Sequence, residues 1–194
     1  MKKLLVVLFA ILSAFNMNAQ EGSEHFKFKG IEIKGSIDSF ANSLAKQGYT
    51  IKSHNDADTR ILTGKFANRE CTIALLGTPN TNTIWKVVVM FDKEYSSWYS
   101  IKSDFESLKS SFISKYGTPS GDYHFFSYPY EEGDGYEMTA IRADKCTYAA
   151  FFNLSHGSIS IKISKFKSIN ICYEDELGSQ IFSKEKSSII SNDI

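Results

Sequence analysis

Residues 96–117 read SSWYSIKSDFESLKSSFISKYG, and this stretch predicts an amphipathic helix near the middle of the chain. Its apolar residues recur at i, i+4, i+7 and i+11 on one stripe and are Ile101, Phe105, Leu108 and Phe112. Ser96 or Ser97 can cap the start of this helix, and Gly117 with its positive φ can end it. A helix with one apolar stripe must cover another apolar surface, so this stretch predicts a helix packed on a sheet.

A similar unit precedes this helix. Residues 36–48, SIDSFANSLAKQG, predict a helix capped by Ser36 and closed by Gly48. The strand candidates after the first helix are YTIKSH (49–54), RILTGKF (60–66), ECTIALLG (70–77) and IWKVVVMF (84–91). Those after the second are DYHFFSY (122–128), YEMTAIRA (136–143), CTYAAFFNL (146–154), SISIKIS (158–164) and SINICYE (168–174). A further strand with one wet face is predicted for HFKFKGIEIKG (25–35), which precedes the first helix.

The repeated order predicts an α+β protein built of two tandem repeats, each a helix followed by an antiparallel β-meander. Side by side, they would form one continuous curved sheet with the helices on one face. We divide the chain into 20–92 and 93–175 for the two repeats and 176–194 for a polar, loosely attached tail. RECTIALL (69–76) and DKCTYAAF (144–151) share a Cys-Thr-x-Ala pattern and are both predicted on the third strand of a repeat.

The first 19 residues, MKKLLVVLFAILSAFNMNA, have the basic start and short apolar core of a secretory signal peptide. The protein is therefore predicted to be exported to the periplasm or the medium, without a lipid anchor and without stable membrane insertion after cleavage. The chain has 22 Lys and Arg against 22 Asp and Glu. A balanced charge argues against nucleic acid as a partner, because nucleic-acid binding requires many phosphate-neutralising cations.

Three cysteines, Cys71, Cys146 and Cys172, lie in apolar strand-like runs, where a free thiol behaves as a small buried hydrophobe. An odd number leaves at least one thiol unpaired. We favour buried thiols; a Cys71–Cys146 bridge stays possible if their strands approach to about 6 Å between Cα atoms. No base lies beside any of them in the sequence, which disfavours a nucleophilic role.

The combination FKGIEIKGSIDSFANSLAKQGY (28–49), LTGKF (62–66) and an SW-initiated helix ending in KYGTP (115–119) resembles a large group of secreted Bacteroidetes proteins. The resemblance spans roughly Phe28 to Tyr173. Members of that group resemble the β-lactamase-inhibitor-protein fold, a tandem helix-plus-four-stranded-sheet repeat. This resemblance implies a concave sheet surface that is open to a partner, and it implies no catalytic residue.

Chemistry-bearing motifs are sparse. The four histidines, His25, His54, His124 and His156, have no metal-ligand spacing, and HNDADT (54–59) lacks the Gly and distal Glu of a calcium loop. No GxSxG elbow and no P-loop is present. We therefore predict no metal, no cofactor and no catalytic residue, and we favour a non-catalytic protein.

The most unusual stretch is YPYEEGDGYE (128–137), in which acids crowd a turn flanked by tyrosines. It is either a recognition loop, with tyrosine anchors and acids that steer a basic partner, or a solvated hairpin tip. Together with one tryptophan it supplies the predicted binding residues Trp85, Tyr128, Tyr130 and Tyr136. The predicted function is recognition of another envelope or secreted protein through the open sheet face and loops. The alternatives are a small envelope hydrolase with a dispersed site and a structural subunit of an envelope assembly.

Overall fold

A computed structural model describes residues 24–52 and 56–193; the predicted signal peptide lies outside them. The strands of this described part are β1 (Lys27–Phe28), β2 (Ile31–Glu32), β3 (Thr50–Ile51), β4 (Thr59–Phe66), β5 (Arg69–Gly77), β6 (Ile84–Phe91), β7 (Gly121–Phe126), β8 (Cys146–Leu154), β9 (Gly157–Ile163) and β10 (Ile169–Asp175). The helices are α1 (Ile37–Ala45), α2 (Trp98–Tyr116), α3 (Glu137–Arg142) and α4 (Glu176–Asp193).

The protein is α+β, with one eight-stranded antiparallel sheet in the order β3-β4-β5-β6-β10-β9-β8-β7. The last strands of the earlier and the later half of the chain, β6 and β10, pair with each other at the centre of the sheet, with Val89 opposite Ile171. β3 and β7 are consequently the two edges of the sheet. β1 and β2 form a separate two-stranded hairpin.

The core lies on one face of this sheet, which we call the covered face. Directly opposed residues share a face, so one row of partners can be followed across the strands. From β4 to β8 this row is Leu62, Ile73, Val89, Ile171, Ile161 and Ala150, all buried. Arg60 of β4 pairs with Asp38 of α1 on this face, and Phe152 of β8 contacts Phe112 of α2. Both long helices of the chain's first two-thirds therefore cover the same face.

The ends of these two helices agree with the predicted caps. Ser36 accepts a hydrogen bond from the Ser39 amide at the start of α1, and Ser97 does the same for Ser100 at the start of α2. Gly117 follows α2 with φ +86°, a conformation that glycine adopts without a steric penalty. A serine side chain satisfies one of the amides that have no partner in the first turn.

The predicted strand at 25–35 is wrong, because two short strands occupy its place. Lys29 and Gly30 both have positive φ, which reverses the chain after two paired residues and forms the β1–β2 hairpin. The alternating pattern survives on either side of the turn, with Phe28 and Ile33 buried. Period-two patterning therefore identified strands but concealed the turn between them.

YEMTAIRA was predicted as a strand and is the short helix α3. Glu137, Ala140 and Ile141 are its buried residues, and their spacing of three and four is helical. Glu, Met, Ala and Arg favour helices, while a short apolar run has no decisive period. Because this segment leaves the meander, CTYAAFFNL becomes the second strand of the later half, whereas ECTIALLG is the third strand of the earlier half. The two cysteine octets thus do not occupy equivalent strands.

Residues 176–194 were predicted as a loosely attached tail, but α4 covers 176–193. Phe182 of this helix stacks on Trp85 at 4.3 Å between ring centroids. Glu185 accepts hydrogen bonds from the Asn80 amide at 2.7 Å and the Thr81 hydroxyl at 2.6 Å. A Cβ on Gly178 would lie 2.9 Å from the Trp85 Cα, so this glycine allows the helix to approach β6 closely. No helix in the described ranges is long and apolar enough to span a membrane.

Candidate functional site

The face of the sheet opposite the covered face is accessible, and we call it the accessible face. One row of directly opposed partners on it runs from β4 to β8 through Ile61, Ala74, Val88, Cys172, Ser160 and Phe151. The first five are half-buried, and Phe151 is 41% exposed. The side chains of this row are less buried than those of the covered row, as expected for the wetter side of an antiparallel sheet.

Exposed aromatic side chains are concentrated at the β7–β8 end of the accessible face. Tyr123 and Phe125 on β7 are each 48% exposed and lie on the same side as Phe151 of β8. The rings of Tyr123 and Phe151 meet edge to face with centroids 5.8 Å apart. These three residues, which we call the aromatic patch, line a depression of about 600 Å³ together with Gly121 and Thr147. Exposed apolar side chains that adjoin one another are typical of binding surfaces.

Residues 128–137, which we call the acidic tyrosine loop, are held together mainly by hydrogen bonds to their own acidic side chains. Asp134 accepts hydrogen bonds from the Glu131 and Tyr136 amides at 2.9 Å and 2.7 Å. Glu137 accepts one from the Gly133 amide at 2.8 Å. Two of the four acidic side chains, Asp134 and Glu137, therefore stabilise the turn, and Glu132 bonds to residues outside it. Their use inside the loop weakens the hypothesis that they steer a basic partner.

The four predicted binding residues do not form one surface. Tyr128 is 93% exposed and Tyr136 is 63% exposed, whereas Tyr130 is half-buried in the same loop. Trp85 lies at the start of the central strand β6, under Phe182 of α4. Its Nε1 is buried and has no hydrogen-bond partner in the described part of the chain. The structure thus brings the three tyrosines together in one loop and places the tryptophan apart from them, against α4, a helix not predicted from the sequence.

A polar network joins α2 to the covered side of β7. The Lys109 ammonium lies 2.9 Å from Glu106, 3.1 Å from Asp122 and 3.0 Å from the Nε2 of His124. The imidazole of His124 stacks on Tyr148, with ring centroids 4.9 Å apart. Burial opposes the charge of Lys109, but hydrogen bonds to the two carboxylates outweigh it and raise the pKa of this lysine. Lys109 therefore stays protonated and cannot act as a base near neutral pH.

Tyr148 extends this network to the acidic loop. Its hydroxyl donates a hydrogen bond to Glu132 at 2.7 Å, and Lys102 and the Trp98 indole also donate to Glu132. Burial, followed by the bond to Glu132, raises the pKa of Tyr148. The bonds from Lys102 and Tyr148 lower the pKa of Glu132. Within the described residues no Ser, Thr or Cys donates to a member of this network, so it has the geometry of a structural clamp rather than of a nucleophile with its base.

The three cysteines are free thiols, and none is bridged. Burial is the main cause that raises the pKa of Cys71 to about 11 and those of Cys146 and Cys172 to about 12. Thiols with such pKa values are poor nucleophiles at neutral pH. Cys71 is fully buried, while Cys146 and Cys172 are half-buried.

Metal binding finds no support in the described ranges 24–52 and 56–193, where no group of three or more His, Cys, Asp or Glu residues could hold an ion. His54, the first residue of HNDADT, lies outside those ranges. Within the same loop, the backbone oxygen of Asp58 accepts a hydrogen bond from the Gly77 amide at 2.7 Å, and that of Asp56 accepts one from Arg60 at 3.1 Å. These bonds connect the loop to neighbouring strands and are structural.

The aromatic patch was not singled out from the sequence, although a signal for it exists. DYHFFSY alternates Tyr123 and Phe125 with Asp122, His124 and Phe126, so each face of β7 carries aromatic residues. The sequence alone does not tell which set α2 covers. The strand register shows that α2 covers the side of β7 that carries His124, because Tyr148, which contacts Phe105 of α2, is the partner of His124. Tyr123 and Phe125 therefore lie on the other side.

Comparisons with family models, with curated proteins and with solved structures find no match to this chain.

Proposed function

We propose that this protein is a non-catalytic binding module that recognises another protein through the accessible face of its sheet. The observation that carries this proposal is the exposure of Tyr123, Phe125 and Phe151, between 41% and 48%, on the β7–β8 part of the accessible face. Leaving three adjoining aromatic side chains in water is unfavourable, and a partner surface would remove that cost. Tyrosine and phenylalanine are rigid, so burying them against a partner costs little conformational entropy.

The character of the partner follows from the surroundings of the patch. Thr147 and Asn153 lie beside it, and Lys162 is the exposed charged residue in the neighbouring row. A surface of aromatic and small polar residues suits a protein with an apolar protrusion bordered by hydrogen-bonding groups. The balanced charge of 22 basic and 22 acidic residues offers little long-range steering, so contact area rather than charge would govern affinity.

We also infer that the chain is a tandem repeat and that its partner lies in the cell envelope or outside the cell. Each half contains a helix followed by four strands of the large sheet, with α3 inserted after the first of these strands in the later half, and the fourth strands, β6 and β10, pair antiparallel at the centre. This order agrees with the resemblance to the β-lactamase-inhibitor-protein fold. Export rests on the apolar segment at residues 4–15. Mass spectrometry of the N-terminus after expression in the native host tests export, since cleavage before Gln20 is expected.

Photocrosslinking tests the proposed binding face directly. A benzoylphenylalanine is placed at position 151 on the accessible face, or at position 99 on α2 as the control. Tyr99 is 82% exposed, so both positions offer an exposed aromatic side chain. We expect position 151 to crosslink one defined envelope protein in native extract and position 99 not to do so. Equal crosslinking at both positions, or none at 151 with abundant bait, would contradict the assignment of this face.

A further inference from the structure

The two edges of the eight-stranded sheet differ in length and exposure. β3 is a strand of only two residues, Thr50–Ile51. β7 has six residues, and within the described part of the chain it pairs with β8 alone. Its four central residues, 122–125, are all exposed. One edge is therefore too short to accept another strand, whereas the other presents a full-length template.

The direction of the β7 backbone groups follows from its register. Ser127 donates its amide hydrogen to the Lys145 oxygen at 2.8 Å, and these two residues extend the register that pairs Phe126 with Cys146. In an antiparallel pair, bonded and non-bonded residues alternate along each strand. Residues 121, 123 and 125 are thus bonded to β8. The amide and carbonyl groups of Asp122, His124 and Phe126 point away from it.

β7 carries few of the devices that protect a sheet edge, and its one acidic residue, Asp122, is paired with Lys109 of α2. Such edges commonly carry Lys or Pro, or are interrupted by a bulge. The sequence of β7 is GDYHFF, without Lys or Pro, and its pairing with β8 is regular over all six residues. On its accessible side it presents Tyr123 and Phe125, one on either side of His124 along the strand.

We propose that β7 pairs antiparallel with β7 of a second copy of this chain, with His124 opposite His124 of that copy. This register alone places all three outward residues opposite outward residues, because Asp122 then faces Phe126 of the second copy and the reverse. About six backbone hydrogen bonds would form. A register centred on Tyr123 would pair only Asp122 and His124 and leave Phe126 beyond β7 of the other copy.

The side chains of the strand favour a second copy over an unrelated strand. In the His124-centred register, Tyr123 of each copy opposes Phe125 of the other on the accessible face. Aromatic pairs at such positions stabilise antiparallel strands. The pattern is symmetric about residue 124, and self-complementarity of this kind is what a two-fold interface requires. The two sheets would become one, with the aromatic patches of both copies adjoining across the axis.

Sedimentation velocity over a wide concentration range tests the pairing. We expect the purified protein to show a monomer–dimer equilibrium with a Kd in the micromolar range, because strand-edge interfaces are small. His124→Pro removes one outward amide hydrogen, which an edge strand tolerates. His124→Ala is the matched control, since it removes the side chain alone. Proline should raise the Kd at least about tenfold relative to alanine. A wild-type protein that stays monomeric at several hundred micromolar, or equal Kd values for the two variants, would overturn the proposal.

A cysteine pair of variants tests the register even if the proline variant folds poorly. In a bonded antiparallel pair the Cα atoms lie about 5.5 Å apart, which suits a disulfide. His124→Cys should therefore form a disulfide-linked dimer on mild oxidation. Asp122→Cys should not, because the two copies of residue 122 would lie about 13 Å apart along the strands. Crosslinking by Asp122→Cys alone would contradict this register. His124→Pro keeps all three residues of the aromatic patch, so it separates self-association from the binding function proposed above.

Discussion

The two faces of the eight-stranded sheet differ in how deeply their side chains are buried, although the same strands form both. On the covered face, residues such as Ile161 and Ile171 are fully buried under helices. Their immediate neighbours in sequence, Ser160 and Cys172, stand on the accessible face and are half-buried. The stability of the fold is therefore concentrated on one side of each strand. The other side is less buried, and on β7 and β8 it carries exposed aromatic residues.

Adjacent phenylalanines on β8 provide the largest contrast between the faces. Phe152 is 1% exposed on the covered face, and Phe151 is 41% exposed on the accessible face. Phe152→Ala should lower the free energy of unfolding by about 3–5 kcal/mol, because it leaves a cavity beneath α2. Phe151→Ala should lower it by about 1 kcal/mol or less. Urea unfolding of both variants measures the difference, and similar losses for the two would mean that the faces are not distinct.

A second adjacent pair, on the central strand β6, extends the comparison away from the aromatic patch. Val89 is fully buried and Val88 is half-buried on the other face. Val89→Ala should cost about 2–3 kcal/mol from lost burial and the resulting cavity. Val88→Ala should cost about 1 kcal/mol or less. Thermal unfolding monitored by circular dichroism gives both values. A cost for Val88→Ala that matches that of Val89→Ala would indicate that the middle of the accessible face is covered.

Features that depend on local sequence patterns could be predicted, whereas features that depend on contacts between distant segments could not. The strand IWKVVVMF and the caps Ser36 and Gly117 were predicted because local patterns determine them. α4 was missed because its contacts, Phe182 on Trp85 and Glu185 on the 78–81 loop, join segments about a hundred residues apart. The aromatic patch could not be assigned for a related reason. Both faces of β7 carry aromatics, and only strand pairing and helix placement decide which set is exposed.

The polar network between α2 and β7 makes the stability of the fold depend on pH. The pKa of Glu132 is lowered in the folded state by hydrogen bonds from Lys102 and Tyr148. Its contribution to stability is thus present above its unfolded pKa of about 4.5 and is lost as the pH falls through the lower folded value. The side chain is 42% exposed, so we expect this contribution to be less than about 1 kcal/mol.

Glu132→Gln tests this contribution because it keeps the shape but removes the charge. The melting temperatures of wild type and variant should differ at pH 7 and converge as the pH falls below 4.5. Scanning calorimetry between pH 3 and 7 measures them. A difference in melting temperature that is the same at every pH would show that ionisation of Glu132 does not stabilise the folded protein.

The smallest expected difference concerns thiol reactivity on the two faces. Cys172 stands half-buried on the accessible face, while Cys71 is fully buried on the covered one. Both pKa values are about 11 or higher, so little thiolate exists at pH 8. We expect slow labelling of native protein by a maleimide, with Cys172 modified before Cys71. Peptide mapping by mass spectrometry distinguishes the sites, and prior labelling of Cys71 would reverse the assignment of faces.

The central claim is that the aromatic patch binds a protein partner without contributing to the stability of the fold. The most direct measurement is isothermal titration calorimetry with the partner that photocrosslinking identifies. This partner is titrated into the triple variant Tyr123→Ser, Phe125→Ser, Phe151→Ser, and Tyr99→Ser is the control. We predict that the triple variant loses affinity by at least about a hundredfold, while its melting temperature stays within a few degrees of wild type and Tyr99→Ser binds normally. Unchanged binding by a folded triple variant would contradict the claim.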